Sequence, residues 1–130
     1  MTTFELLFLA GALGAALFMA RMALARPGAG NWVIAALLAA AFFGYSLFPI
    51  LIEGPTGFVA NHTVNLWGVQ VWYDLVFALG CAVFLAAPRA RRVGMAFGPW
   101  LIPVLLLGSI GLFMLLARLF WLEQKSGSDG

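Results

Sequence analysis

Long apolar runs, separated by short stretches rich in glycine, proline and asparagine, form the dominant pattern of this sequence. Four runs reach the roughly 20 residues that a helix needs to cross the hydrocarbon core of a bilayer. They cover residues 4–25, 32–52, 67–87 and 97–122. The breaks contain the residues that end helices and form turns. The pattern therefore predicts an all-α fold, an integral membrane four-helix bundle.

The domain organisation that follows from these runs is simple. We expect a single four-helix transmembrane domain over residues 1–125, followed by a disordered polar tail at residues 126–130. No Lys or Arg lies at the start of the first apolar run, whereas Glu5 does. A signal peptide needs a positively charged start, so an uncleaved first spanning helix is the favoured interpretation.

Composition supports a membrane location. The chain is 64% hydrophobic and only 9% charged, whereas a soluble domain has about 25% charged residues. The few basic residues lie beside apolar segments, where their usual role is to set topology, and this distribution argues against nucleic-acid binding. We therefore expect the lipid bilayer as the main partner, with a membrane-protein partner or a homo-oligomer as further candidates.

The arginines predict the orientation of the four spans. The first and third connections carry Arg26, Arg89, Arg91 and Arg92, and the positive-inside rule places this side in the cytoplasm. Both termini are then expected outside the cytoplasm, with the protein integral to the cell (inner) membrane. Tryptophans favour membrane interfaces, which predicts inner ends at Trp32 and Trp100 and outer ends at Trp67 and Trp121.

Asp74 is an ionisable residue within the third apolar run, and it is the leading candidate for a functional role. It lies seven residues after Trp67, about 10 Å into the helix, and Arg118 lies about 6 Å in from the end of the fourth run. Both depths are measured from the same predicted side, so the two residues are expected at similar depth. A charge buried in the membrane needs a partner. We therefore expect Asp74 and Arg118 to pair, either as a structural clamp or as a functional site.

Several polar residues are candidate neighbours of this pair. Gln70, Trp67 and Cys81 share a helical stripe with Asp74, which predicts that this face points into the bundle. Glu5 lies near the outer end of the first span and could join the cluster.

The predicted outer loop between the second and third spans carries Asn61 and His62. A lone histidine with no second histidine provides no metal site of the usual kinds, so no metal and no cofactor is predicted, although a lipid or isoprenoid could bind. A solvated or loop-capping histidine is the simpler interpretation of His62.

The C-terminal half carries a resemblance. The segments "VWYDLVFALGCAVFLAAPRARRVG" and "PWLIPVLLLGSIGLFMLLAR" contain Asp74-Leu75, a basic turn from Arg89 to Gly94, the pair Gly108 and Gly111, and Arg118. This arrangement, over residues 58–118, resembles a group of small bacterial four-helix membrane proteins belonging to a domain-of-unknown-function family. It is similar, more distantly, to the plant and cyanobacterial membrane family linked to neoxanthin synthesis. The resemblance implies a four-helix membrane protein in which Asp74 and Arg118 are shared features.

The neoxanthin-linked family has a histidine shortly before the aspartate of its third helix. This chain has "GVQVWYD" there and no histidine, which argues against carotenoid chemistry.

Three functions remain open at this point. The scarcity of polar residues favours a non-enzymatic accessory bundle or a bundle that binds a lipophilic ligand. A membrane enzyme acting on a lipid or isoprenoid, with Asp74 as acid or base, is the first alternative. An oligomeric transporter is the second, although transport sites usually need polar residues at mid-membrane, which this chain nearly lacks.

Overall fold

The computed structural model describes residues 2–24 and 30–128, and these ranges are helical almost throughout. Their helices are α1 (Thr3–Leu24), α2 (Trp32–Glu53), α3 (Gly57–Thr63), α4 (Leu66–Arg92), α5 (Phe97–Leu107) and α6 (Ser109–Ser128). By length and composition α1, α2 and α4 can cross a membrane. They correspond to the first three predicted spans, although α4 continues past residue 87 through Pro88.

The predicted four-helix count is wrong, because the fourth apolar run is two helices and the loop after α2 contains the short helix α3. α5 ends at Gly108, whose φ is +57° and whose ψ is −124°. This backbone conformation lies outside the helical region and is accessible mainly to glycine. The chain changes direction there, and α6 begins at the next residue.

α5 and α6 form a tight helical hairpin. A Cβ atom placed on Gly111 would collide with the backbone carbonyl of Pro103, so the two helices meet backbone to backbone. α5 has 11 residues, or about 16 Å at 1.5 Å per residue. This length is about half of the hydrocarbon thickness of a bilayer, so α5 is too short to cross a membrane.

α6 is the central helix of the described structure. It packs against α2, α4 and α5. Gly111, Leu115 and Leu119 follow one another at four-residue intervals and are buried, and the two leucines have no exposed surface. Small residues on the neighbouring helices allow this close approach. They are Ala35 and Ala39 on α2 and Ala86 and Ala90 on α4.

The hairpin makes α6 run parallel to α4, whereas a fourth spanning helix would run antiparallel to it. The side chain of Leu79 lies 3.9 Å from the Cβ position of Gly108, and Arg89 contacts Glu123 further along both helices. One end of the bundle therefore contains the start of α2, the end of α4, the start of α5 and the end of α6. We call it the basic end.

This geometry corrects the position of one tryptophan. Trp121 was expected at the outer end of a fourth span. In the structure it lines the same groove as Trp32 and Trp100, at the basic end. Trp67 lies at the opposite end, at the start of α4.

α1 packs against no other helix of the described chain, and all of its residues are exposed. The first turn of α1 is capped by its own residues, because Thr2 N donates to Glu5 Oε2 at 2.7 Å and Glu5 N donates to Thr2 Oγ1 at 3.2 Å. This reciprocal pair is a capping box.

Two sequence expectations fall partly or wholly outside the described chain. Arg26, which was expected to help set the topology, is outside it. Of the predicted polar tail, residues 126–128 continue α6, and residues 129–130 are outside the described ranges.

We expect Gly111→Ala to open the α5–α6 hairpin, because its methyl group would meet a backbone atom that cannot rotate away. Overpacking of this kind costs about 1–3 kcal/mol. The measurement is the melting temperature in mild detergent, which should fall.

Gly80→Ala is the matched control, since nothing lies within 4 Å of its Cβ position on α4. Replacing a helical glycine without a clash should stabilise by about 0.5–1 kcal/mol. Equal melting temperatures for the two variants would contradict the backbone contact.

Candidate functional site

Asp74 and Arg118 do not form the predicted pair. Asp74 is exposed on α4, and its side chain has no ion pair or hydrogen bond within residues 2–24 and 30–128. The reason is the direction of α6. Because α6 runs parallel to α4, Arg118 lies near the basic end, about 15 Å or more along the helix axis from Asp74.

The stripe around Asp74 was expected to face the bundle interior, and this expectation is wrong for the described chain. Trp67, Gln70 and Cys81 are exposed together with Asp74. The packed face of α4 instead carries Leu79, Val83, Ala86 and Ala90. The α5–α6 turn lies level with Leu79, so the hairpin does not reach the part of α4 that carries Asp74.

His62 and Asn61 belong to α3 and lie at the end opposite the basic end. His62 Nδ1 lies 2.6 Å from the carbonyl oxygen of Phe58, and its ring meets that of Trp72 edge to face with centroids 5.8 Å apart. The carbonyl oxygen of Asn61 is 2.7 Å from the Cβ position of Gly68. The contacts with Trp72 and Gly68 hold α3 against α4, so His62 has a packing role.

The ion pair of the described chain is Arg89 with Glu123. Arg89 Nε and Nη2 donate to the two carboxylate oxygens of Glu123 at 2.8 and 2.7 Å. Such two-point pairing fixes the relative position of the side chains. The side chains are 41% and 20% exposed, so the pair contributes about 1 kcal/mol or less to stability.

Further contacts surround this ion pair and join α2 to it. The Arg89 guanidinium lies 5.2 Å from the centroid of the Phe120 ring, and Phe120 fits against Gly30, which leaves no space for a Cβ there. Gln124 Nε2 donates to the Gly30 carbonyl at 3.3 Å. These contacts form a small polar network at the basic end, around the last turns of α6.

An open apolar groove of about 650 Å³ lies between α2 and the α5–α6 hairpin. Its walls are alanines and large apolar side chains, among them Ala36, Ala40, Phe43 and Met114. Arg118 is the charged residue of the lining. The groove is concave and almost wholly apolar, which is the character of a site for a lipophilic molecule.

Two cations lie on the aromatic ring at the end of this groove. The Arg118 guanidinium carbon is 4.6 Å from the Trp121 ring centroid, and Lys125 Nζ is 5.2 Å from the same ring. Trp121, Lys125 and Glu123 were not predicted from the sequence as site residues. The spacing of three and four residues around Trp121 was an available signal, because side chains so spaced meet on one face of a helix.

The remaining candidates add no catalytic or metal arrangement. Glu5 caps its own helix, α1, which packs against no other described helix, whereas Arg91 and Arg92 are exposed at the basic end. Within the described ranges, no three His, Cys, Asp or Glu side chains come close enough to hold a metal ion.

Comparison with models of protein families, with curated proteins and with solved structures finds no match to this chain. The resemblance of residues 58–118 therefore stays a prediction.

Chemical crosslinking distinguishes the parallel from the antiparallel arrangement of α4 and α6. In a Cys81→Ser background, we expect a short bis-maleimide to join the cysteines of Arg89→Cys and Glu123→Cys, whose native side chains touch. Met95 and Met114 lie between them, so cyanogen bromide releases the two ends as separate fragments unless they are crosslinked.

The matched control is the pair Asp74→Cys and Arg118→Cys in the same background. These positions are about 15 Å or more apart, and a short linker should not join them. Crosslinking of the control pair with none at 89 and 123 would restore the antiparallel, four-span arrangement.

Proposed function

We propose that this chain is a small, non-enzymatic, multi-pass membrane protein that holds a lipophilic molecule in the groove between α2 and the α5–α6 hairpin. The observation that carries the proposal is the groove itself, which is apolar along its walls and open on one side. A bundle of this kind acts as an accessory protein, either presenting its ligand or packing against a partner through the exposed helix α1.

The alternatives have less support. An enzyme using Asp74 would need a second polar group beside it, and Asp74 has no hydrogen-bond or ion-pair partner in the described part of the chain. A transporter would need a polar path through the membrane. The groove is lined almost entirely by apolar side chains, which suits a lipid or isoprenoid better than an ion.

We further propose that the basic end faces the cytoplasm of a bacterial cell, with the protein in the inner membrane. The hairpin favours a half-membrane, re-entrant arrangement of α5 and α6, and non-spanning segments are tolerated where protein packs around them. The basic residues of the described ranges then fall on one side, which satisfies the positive-inside rule. They are Arg21, Arg89, Arg91, Arg92, Arg118 and Lys125.

This arrangement keeps the N-terminus outside but moves the C-terminus into the cytoplasm, where the four-span prediction had placed it outside. A C-terminal green fluorescent protein fusion should therefore fluoresce, and a C-terminal alkaline phosphatase fusion should be inactive. The same reporters inserted after Thr63 serve as the outward control, with the opposite result. A C-terminal phosphatase as active as that control would contradict the re-entrant hairpin.

Filling the groove tests the proposed binding function. Ala40 is exposed and lines the groove, so Ala40→Trp should occupy the ligand space without disturbing helix packing. We expect the variant to lose most of the lipophilic material that copurifies with the wild type in mild detergent. Lipid mass spectrometry and an absorption spectrum measure it, the latter revealing a conjugated isoprenoid.

Ala41→Trp is the matched control, because Ala41 is the neighbouring residue, is also exposed and lies outside the groove lining. It should keep the wild-type amount of ligand. A wild type with nothing bound, or equal ligand in both variants, would contradict the proposal.

A further inference from the structure

The groove has two chemically different parts. Its walls are apolar along Trp32 to Phe43 of α2, a distance of about 16 Å at 1.5 Å per residue. This is about the thickness of one leaflet of the hydrocarbon core. The part of the groove that lies at the basic end of the bundle is lined by Arg118 and Trp121. A ligand that matches both parts is an amphiphile with one extended apolar chain and a polar head.

The charge at this end is positive and is not neutralised by the described part of the chain. Arg118 and Lys125 are both exposed and share the ring of Trp121. Glu123 is the nearest carboxylate in sequence, and it uses both oxygens on Arg89. Within the described chain, Arg118 and Lys125 have no carboxylate partner. The complementary head is therefore an anion.

The side chains at this end suit a phosphate ester. A guanidinium binds phosphate oxygens through two parallel N–H groups, and an ammonium adds a compact positive charge. An indole places its ring among acyl chains and its N–H at the headgroup level. Trp121, between the two cations, therefore marks the depth at which a lipid changes from acyl chain to headgroup.

From these observations we infer that the groove is a site for an anionic phospholipid of the surrounding bilayer. One acyl chain lies along α2, and the head phosphate lies at the basic end of the groove against Arg118, with Lys125 adding its positive charge from the Trp121 ring. This inference rests on the proposed lipid-binding function and adds the class of ligand and the two residues that select it. A zwitterionic lipid has the same acyl chains, but its choline group carries a positive charge toward the same cations.

Native mass spectrometry in detergent tests the selection. The protein is mixed with equal amounts of phosphatidylglycerol and phosphatidylcholine that carry identical acyl chains. We expect the wild type to bind phosphatidylglycerol preferentially. Arg118→Gln should reduce this preference about fivefold, the usual effect of one cation near an anionic headgroup. Lys125→Gln should act similarly, and Arg118→Lys should retain most of the preference.

Arg91→Gln is the matched control for general surface charge. It removes the same charge from the same end, but Arg91 lies on α4 and is not one of the two cations on the Trp121 ring. It should leave the lipid preference unchanged. Equal reductions in Arg91→Gln and Arg118→Gln would show diffuse attraction and overturn the site. Retained melting temperature in each variant shows that the fold is intact.

The Ala40→Trp variant separates failure of this inference from failure of the proposed function. If it reduces binding of both lipids while Arg118→Gln changes nothing, the groove binds lipid without choosing the head, and only the inference fails. If Ala40→Trp reduces binding of neither lipid, the groove is not the site, and the proposed function fails as well.

Discussion

The backbone contact between Gly111 and Pro103 is the constraint on which the rest of the structure depends. It lets α5 and α6 fold back on each other directly after the turn at Gly108. Van der Waals contact is the main source of helix association where water is absent, and only a glycine allows so short an approach. Once the hairpin has formed, α6 can fill the space between α2 and α4, where Leu115 and Leu119 become fully buried.

The same turn decides how charge is distributed. With α6 parallel to α4, Glu123 reaches Arg89, and the cations of α6 join those at the end of α4. The cations of α4 and α6 thereby lie at one end of the bundle, where water and headgroups can solvate them, which avoids the large free energy of placing charges in hydrocarbon. Asp74 lies on α4 beyond the reach of the hairpin, and its side chain has no hydrogen-bond or ion-pair partner in the described chain.

The groove also follows from the hairpin. α5 and α6 both line it, whereas α2 packs against α6 and makes no close approach to α5. The space between α2 and the hairpin is therefore open on one side, and it ends at Trp121, with Arg118 and Lys125 against its ring. The apolar groove with a cationic end is thus a result of the hairpin geometry, and the lipid proposal links that geometry to function.

The sequence by itself determined the helical class and the three helices long and apolar enough to cross a membrane, α1, α2 and α4, because apolar length is a property of each segment alone. Asn31 and Asn65 cap α2 and α4 through their side chains, which is a contact within each segment. Only the tertiary structure decided the fate of residues 97–122. Their hydropathy is the same whether the helix continues or turns. The turn depends on the backbone angles of Gly108 and on the contact between Pro103 and Gly111, which lie eight positions apart. The pairing of Glu123 with Arg89 follows from that turn, so no pattern of depth along separate helices could have identified it.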